Sequence, residues 1–521
     1  MAWGDGCETC RKRRVKCDGA RPNCGQCQRA NRICFISEQK EPKFAFVLEN
    51  LGPKTTSSPS RQRRVLREPK STAKKRTGFK FSSVSLNDGS QGLTHSLTTS
   101  WEDQAIAYYF HHHVIPPVEV IEAAQEHMKY LPLTWTHAQK DSAFYLAMLA
   151  TSYSAFGKAR DILAASKAST FMYIQAVNMI KRSLQDPVES CSDETLLATM
   201  ILSFYENINS GFEDKTKSRV ELFQHMNRAF CHHDGATAVL KARQQLLSTE
   251  QRNLNLDKLV RRQVIRSALL RSTGLPKWLE DGVVFGESGL SLELDRFMVS
   301  VARLQREAQT PLTSYGIPST SQDPLGQLLD QANRLDSEMF LWTIRLSHDW
   351  RYKTFEVDRE LFPGTSYTSD IHTYSSLGHT AIWNRYRSVR ILLKIVIVKL
   401  LRLLEDHHQH EVDLSIRIVT KSMQDLIADI CASIPYCVNK ISLDGSVDGD
   451  GELVIENHAK AEKGMRASIL SYLTFPFHVM VEAFAVAGTS HDQQTWIRDR
   501  AVRVGEVAND TLLEKIASIR L

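Results

Sequence analysis

Six cysteines stand near the start of the chain, at Cys7, Cys10, Cys17, Cys24, Cys27 and Cys34, in the spacing C-x2-C-x6-C-x6-C-x2-C-x6-C. A shift of seventeen residues lays the first three on the second three, so the segment is an internal repeat of two arms. Each arm opens on a Cys-x-x-Cys pair, close enough for both thiolates to grip one zinc ion. Its third cysteine follows seven residues later, about two helical turns on, and returns to the same helix face. Structural zinc takes a closed set of four ligands, and each arm offers three. Two ions need eight sulfur contacts from six cysteines, and two thiolates that bridge both metals close the count. The spacing predicts a binuclear cluster with two Zn2+ per chain. Two other readings compete. A disulfide framework suits a small secreted domain, but this stretch is rich in Lys and Arg and no apolar signal segment precedes Cys7. A plain four-ligand finger leaves two cysteines over and does not account for the repeat.

The residues between the ligands carry the second clue. Arg11, Lys12, Arg13, Arg14, Val15 and Lys16 separate Cys10 from Cys17, whereas the matching segment Gln28 to Ile33 holds only Arg29 and Arg32. Six thiolates and two zinc ions sum to two negative charges, so some cations balance the cluster. That role cannot use all five, because a helix points them in several directions. A short basic helix held by metal suits the groove of double-stranded DNA, with some cations on phosphates and one or two on base edges. The candidate DNA contacts are Arg11, Lys12, Arg13, Arg14 and Lys16.

The run Cys7-x-x-Cys10-Arg11-Lys12-Arg13-Arg14-Val15-Lys16-Cys17-Asp18, followed by Arg21-Pro22-Asn23-Cys24-x-x-Cys27, resembles the fungal binuclear zinc-cluster transcription regulators over about thirty residues. The resemblance implies that Cys7 and Cys24 are the bridging ligands. It places Arg14 where the family keeps its main base-reading cation, aimed at a CGG-type triplet, with Arg13 beside it. Arg11 and Lys16 would sit on phosphates, and Pro22 would turn the chain between the arms. The family often has lysine at the position of Arg14; arginine reaches guanine in bidentate fashion at least as well.

Stepping outward, charge is unevenly spread along the 521 residues. Residues 1–80 hold 20 Lys and Arg against 7 Asp and Glu, a net of +13, while the whole chain carries +6. The basic end is the nucleic-acid end. The other four cysteines, Cys191, Cys231, Cys431 and Cys437, lie far apart, as free thiols do in a reducing compartment. The reading divides the chain into a zinc-cluster domain at 1–40, a flexible basic linker at 41–100 and an all-α regulatory domain at 101–521. From Gly52 to Gly92 the linker is rich in Ser, Thr, Pro, Lys and Arg. It contains Arg61-Gln-Arg-Arg64 and Lys74-Lys-Arg76, which fit a bipartite nuclear import signal or, as readily, a solvated charge run. No sustained heptad follows the cluster, so no dimerising coiled coil is expected there.

From Trp101 apolar residues recur at spacings of three and four. Helices are expected over Gln104 to Phe110, Ser142 to Tyr153, Ser169 to Leu184 and Ser192 to Ile208, with few strands. Ile391 to Leu404 is the longest apolar run, broken by Lys394, Lys399 and Arg402, and reads as an amphipathic core helix with Arg387, Arg390, Lys394, Lys399 and Arg402 on the outer side. The fold class is therefore mainly α. Ala105-Ile-Ala-Tyr-Tyr-Phe110, Phe204-Tyr-Glu206, His232 to Leu240, Trp383-Asn-Arg-Tyr-Arg387 and Trp496 to Arg500 resemble, in order, segments of the helical fungal-specific transcription factor domain. That resemblance implies a regulatory region. Arg243-Gln244 stands where relatives often have Arg-Gly and puts the turn there in question.

Other clusters carry less. His111-His112-His113 and His407-His408-x-His410 diverge around a helix and lack a completing cysteine or acid. Asp444 to Glu452 has the start of a calcium loop but would place Ile455 where the bidentate glutamate belongs; it reads as an acidic loop between helices. No nucleophile elbow, phosphate-cradling glycine loop or HExxH run appears, so no catalytic residues are assigned. The expectation is a nuclear, zinc-dependent, sequence-specific DNA-binding regulator of RNA polymerase II genes, not an enzyme and not a membrane protein. Its further partners would be the transcription machinery or co-regulators, with any self-association through the helical domain. The alternative is a small-molecule-binding or enzymatic helical domain that carries an accessory zinc module.

Overall fold

The computed structural model describes residues 9–10, 15, 17–18, 24–30, 100–114, 121–209, 219–313, 324–357, 366–404, 409–438, 441–443, 453–455 and 466–518. The chain divides into two compact units, Met1–Leu93 and Thr94–Leu521. In the first, the described helix is α1, Gly25–Arg29, and Thr9 and Cys10 are also helical.

Helix starts in the second unit follow from side chains that accept the free amides of a first turn. Ser100 accepts from the Asp103 amide and opens α2, Trp101–His113. After the short α3, Leu131–His137, Ser142 accepts from the Tyr145 amide and opens α4, Ala143–Arg160. Asp161 ends α4 in the left-handed conformation, and α5, Leu163–Ser183, and α6, Asp193–Asn209, fold back on it. Then come α7, Arg219–Leu246, and α8, Leu254–Arg271, the latter capped by Asn253. A single turn α9, Lys277–Glu280, leads to α10, Gly289–Thr313, and α11, Pro324–Arg345. Two strands, β1 at Lys353–Glu356 and β2 at Asp370–Thr373, pair antiparallel with Phe355 opposite Ile371. The unit closes with α12, Leu377–Leu403; α13, Gln409–Cys437; a second antiparallel pair, β3 at Ile441–Leu443 with β4 at Leu453–Ile455; then α14, Ala467–Ala487; α15, His491–Ala508; and α16, Thr511–Ser518.

Each expected helix falls on an observed one, overrunning it by at most one residue at an end, and the fold is mainly α. One apolar cluster runs through the body from Ile106 to Ala517, with α12 at its centre against α10, α11, α13 and α14. Here one expectation is corrected. α12 is buried on nearly all sides, and two cations assigned to an outer face, Arg387 and Lys394, are buried with it. The Arg387 guanidinium lies over the Tyr352 and Trp383 rings and donates to the Tyr374 hydroxyl at 2.7 Å. Lys394 and Arg390 both pair with Asp336 of α11. Aromatic faces and one shared carboxylate stand in for water.

Two smaller expectations also change. Arg243 makes no turn: α7 continues to Leu246, and the side chain is buried with Asp257 and Asp193 at 2.7 Å each. The acidic segment at 444–452 lies outside the described residues, but its flanks are the paired strands β3 and β4, not helices. By length and composition α14 is the one described helix apolar enough to cross a membrane. Two-thirds of its most apolar window is buried inside the body (67%), as in a core helix, and the sequence reading had looked to α12 instead.

Candidate metal centre

Cys24 occupies the N-cap of α1, in extended backbone, and its sulfur accepts the Cys27 amide at 3.4 Å. The cap thus fixes the first sulfur of the second arm, and one helical turn brings Cys27 beside it. On the other arm, Thr9 and Cys10 are helical, and the Val15 amide donates to the Cys10 carbonyl at 3.1 Å. The four sulfurs then converge. Cys10 Sγ lies 3.6 Å from Cys24 Sγ and 3.8 Å from Cys27 Sγ, and the sulfurs of Cys10, Cys17 and Cys24 all fall within 4.8 Å of one another. Cys10, Cys24 and Cys27 are at most 1% exposed.

These distances discriminate between the readings of the cysteine pattern. A disulfide holds its sulfurs near 2.05 Å, and all eight described cysteines are free thiols. Two thiolates on one tetrahedral zinc, at Zn–S of about 2.3 Å, lie about 3.8 Å apart. The 3.6 Å between Cys10 and Cys24 is close to the edge of such a tetrahedron, and Cys17 lies within 4.8 Å of both, so this donor set fits zinc. Desolvation raises the Cys24 pKa, but the Cys27 amide and the thiols of Cys27, Cys10 and Cys17 lower it by more, and the net shift is downward. That favours the thiolate, which is the form that binds metal.

Asp18, the residue after Cys17, braces the start of α1. Its carboxylate accepts the Gly25 amide through both oxygens, at 2.9 and 3.1 Å, at the positive end of α1. A Cβ on Gly25 would stand 2.5 Å from Asp18 Oδ2, so only glycine admits this approach. Arg29 closes the same turn by donating to the Gly25 carbonyl at 3.2 Å. An acid just after the third cysteine and a glycine just after the fourth are the sequence signals for this clasp.

Of the expected site residues, the structure brings together Cys10, Cys17, Cys24 and Cys27. Cys7, Cys34, Arg11, Lys12, Arg13, Arg14 and Lys16 lie outside the described residues. The histidine run forms no second metal site among the described residues. His112 packs on Tyr108, while His113 stacks on Tyr109 and contacts Asn509.

The family model of the fungal Zn(2)-Cys(6) binuclear cluster domain matches residues 5–43. Transcription factor dbaG of Emericella nidulans is 23% identical over 345 residues, which cover 64% of this chain and 74% of that protein. The sorbicillinoid biosynthetic cluster transcription factor 1 of Penicillium rubens is 42% identical over 40 residues, 8% of this chain and 6% of that protein. The sorbicillinoid biosynthetic cluster transcription factor sor3 of Hypocrea jecorina is 38% identical over 61 residues, 12% and 9% respectively. The likeness to dbaG extends beyond the cysteine module into the helical body. No solved structure matches the chain.

Proposed function

We propose that this chain, a DNA-binding transcription regulator with a fungal Zn(2)-Cys(6) binuclear cluster domain at residues 5–43, reads CGG-type triplets in the major groove through Arg14. The domain takes two zinc ions. Bound there, each ion neutralises thiolate charge and locks the two arms together. Cys7, Cys10, Cys17, Cys24, Cys27 and Cys34 would be the six ligands, with Cys7 and Cys24 shared between the metals. The observation that carries the reading is the convergence of the sulfurs of Cys10, Cys17 and Cys24 within 4.8 Å of one another, with Cys27 3.8 Å from Cys10. The five-cation segment 11–16 is strung between two of those sulfurs, so metal binding fixes its ends.

Within that segment the residues divide the work. Arg14 would form a bidentate pair with a guanine edge, with Arg13 beside it, while Arg11 and Lys16 hold phosphates. The chain acts by binding DNA and not by catalysis, in the nucleus, on genes of RNA polymerase II. The buried position of α14 supports a body that is not membrane-spanning. Residues 1–40, 41–100 and 101–521 serve as DNA reader, basic tether and regulatory body. Co-regulators, and a second copy of the chain, would engage the body.

The test compares two substitutions in the full chain. Arg14→Ala costs about 1–3 kcal/mol on a CGG-type site and flattens preference at that triplet. Lys16→Ala weakens all sequences alike and reduces the salt slope by about one. Equal losses on specific and random DNA for both variants would remove Arg14 from the base-reading role.

A further inference from the structure

Where α2, α6, α7, α8, α12 and α14 come closest, the helical body forms a partly open cavity of about 120 Å³. Its walls include the rings of Phe204, Phe230 and Phe475 and the side chain of Leu270. Buried polar groups in folded proteins are nearly always paired. Five side chains lining this one cavity nevertheless have a buried polar atom that pairs with no group among the described residues: the Tyr109 hydroxyl, Asn207 Oδ1, both ring nitrogens of His233, Ser267 Oγ and His478 Nε2. Burial keeps His233 neutral, with its pKa lowered to about 3, so its ring offers one donor and one acceptor. With His478 Nδ1 bonded to the Thr474 carbonyl at 2.8 Å, its Nε2 is left facing the cavity lining as an acceptor. Pro476, also in the wall, removes the amide that would otherwise pair with the Tyr472 carbonyl.

The charges around the cavity are unequal. Arg266 is matched by Glu126 at 2.8 Å, and Asp510 is used in capping α16 through the Leu513 amide. Arg385 lines the same space at 7% exposure. Among the described residues it donates to the Ala123 carbonyl at 3.3 Å and forms no ion pair. Its burial first, then the nearby Arg266 and Arg262, lower its pKa to about 9, with Glu126 acting in the opposite sense. A buried guanidinium without an ion pair of its own is costly unless something anionic meets it.

We infer that this cavity is a binding site for a small hydroxylated aromatic carboxylate whose anionic group sits on Arg385. At about 120 Å³ the cavity is smaller than the roughly 150 Å³ one that holds benzene, so a substituted ring fits only because the space is partly open to solvent. The phenylalanine walls suit the ring faces, and the donors and acceptors of His233, Ser267, His478 and Asn207 suit ring hydroxyls. A guanidinium offers the forked donor pair that a carboxylate accepts. The ligand would tie together helices from both ends of the sequence, from α2 to α14. This site goes beyond the DNA-binding reading and does not depend on it.

Calorimetric titration and thermal unfolding of the zinc-loaded full chain test it, with 2,4-dihydroxybenzoate, benzoate and the neutral 2,4-dihydroxybenzamide as probes. The expected result is one site per chain, a raised unfolding temperature, and tightest binding of 2,4-dihydroxybenzoate. The amide should bind at least about tenfold more weakly, as loss of a charge-assisted pair implies. Arg385→Met should fold at least as well without ligand, because it removes an unmatched buried charge, yet bind acid and amide alike. Arg385→Lys should recover part of the preference for the acid. Failure of every probe to bind, a cavity holding only water, would overturn the inference. So would equal affinity for acid and amide in the unaltered chain, a comparison that needs no variant. Unchanged acid binding by Arg385→Met would overturn it too.

Discussion

In the cysteine module, order comes from four sulfur atoms gathered within a few ångströms; in the helical body it comes from an apolar cluster that runs from Ile106 to Ala517. The module is too small to bury a useful core, so its stability rests on metal coordination. The body is large enough to do the opposite: it uses hydrophobic burial to take in charges, and pairs several of them with buried carboxylates. Arg261 is fully buried and held by Asp295 at 2.6 Å and by the Leu279 carbonyl at 2.7 Å. Arg262 pairs with Glu287, and Arg243 with Asp257. The two regions should therefore fail independently and for different reasons.

The largest separation is expected from chelation. Removing zinc should unfold the module, since metal binding supplies about 10–16 kcal/mol in small zinc domains. DNA binding should vanish while the thermal unfolding of the helical body stays unchanged, as followed by far-UV circular dichroism. Loss of the body's transition on chelation would break the comparison.

Arg261→Met should do the reverse. It leaves Asp295 buried without its cation and should cost about 3–5 kcal/mol, read as a lower urea midpoint for the body. Zinc content should remain that of the unaltered chain; a fall in zinc would mean that the regions are coupled.

Acid provides a third contrast within the body. Burial holds His127 neutral, with its pKa lowered to about 4, and does the same to His233 and His372, lowered to about 3. In the unfolded chain the same groups titrate near 6.5. The unfolded state therefore takes up protons first, and the stability present above pH 6.5 is lost as pH falls from there toward 4. Each histidine should cost up to about 1.4 kcal/mol per pH unit. Urea midpoints at pH 7, 6 and 5.5 measure this, and a flat profile would show that these rings are not held neutral.

The smallest effect belongs to the clasp on α1. Gly25→Ala puts a methyl against Asp18 and should cost about 0.5–2 kcal/mol, the value of an N-terminal capping interaction. Zinc affinity should drop by about tenfold with the body untouched. An unchanged affinity would show that Asp18 does not brace the cluster.

The same contrast explains what could be read from the sequence. Cysteine ligands are local and chemically unusual, so their spacing alone pointed to the convergence of Cys10, Cys17, Cys24 and Cys27. Helix periodicity in the body was also legible, because an apolar stripe is a local signal. α12 was legible as a helix but not as a central one: burial on all sides depends on Asp336, Tyr352 and Tyr374, which come from elsewhere in the chain. The cavity was hidden for the same reason. Tyr109, His233, Arg385 and His478 are separated by more than a hundred residues at most steps, and no short motif joins them. The role of Asp18 needed the three-dimensional position of Gly25.

The account rests most directly on the number of metal ions held by six thiolates. Native mass spectrometry of the full chain at neutral pH measures it in one experiment. Two zinc ions per chain are expected, with Cys24→Ser disturbing both sites and Cys34→Ser leaving one better formed. A single zinc bound to the unaltered chain would contradict the binuclear cluster.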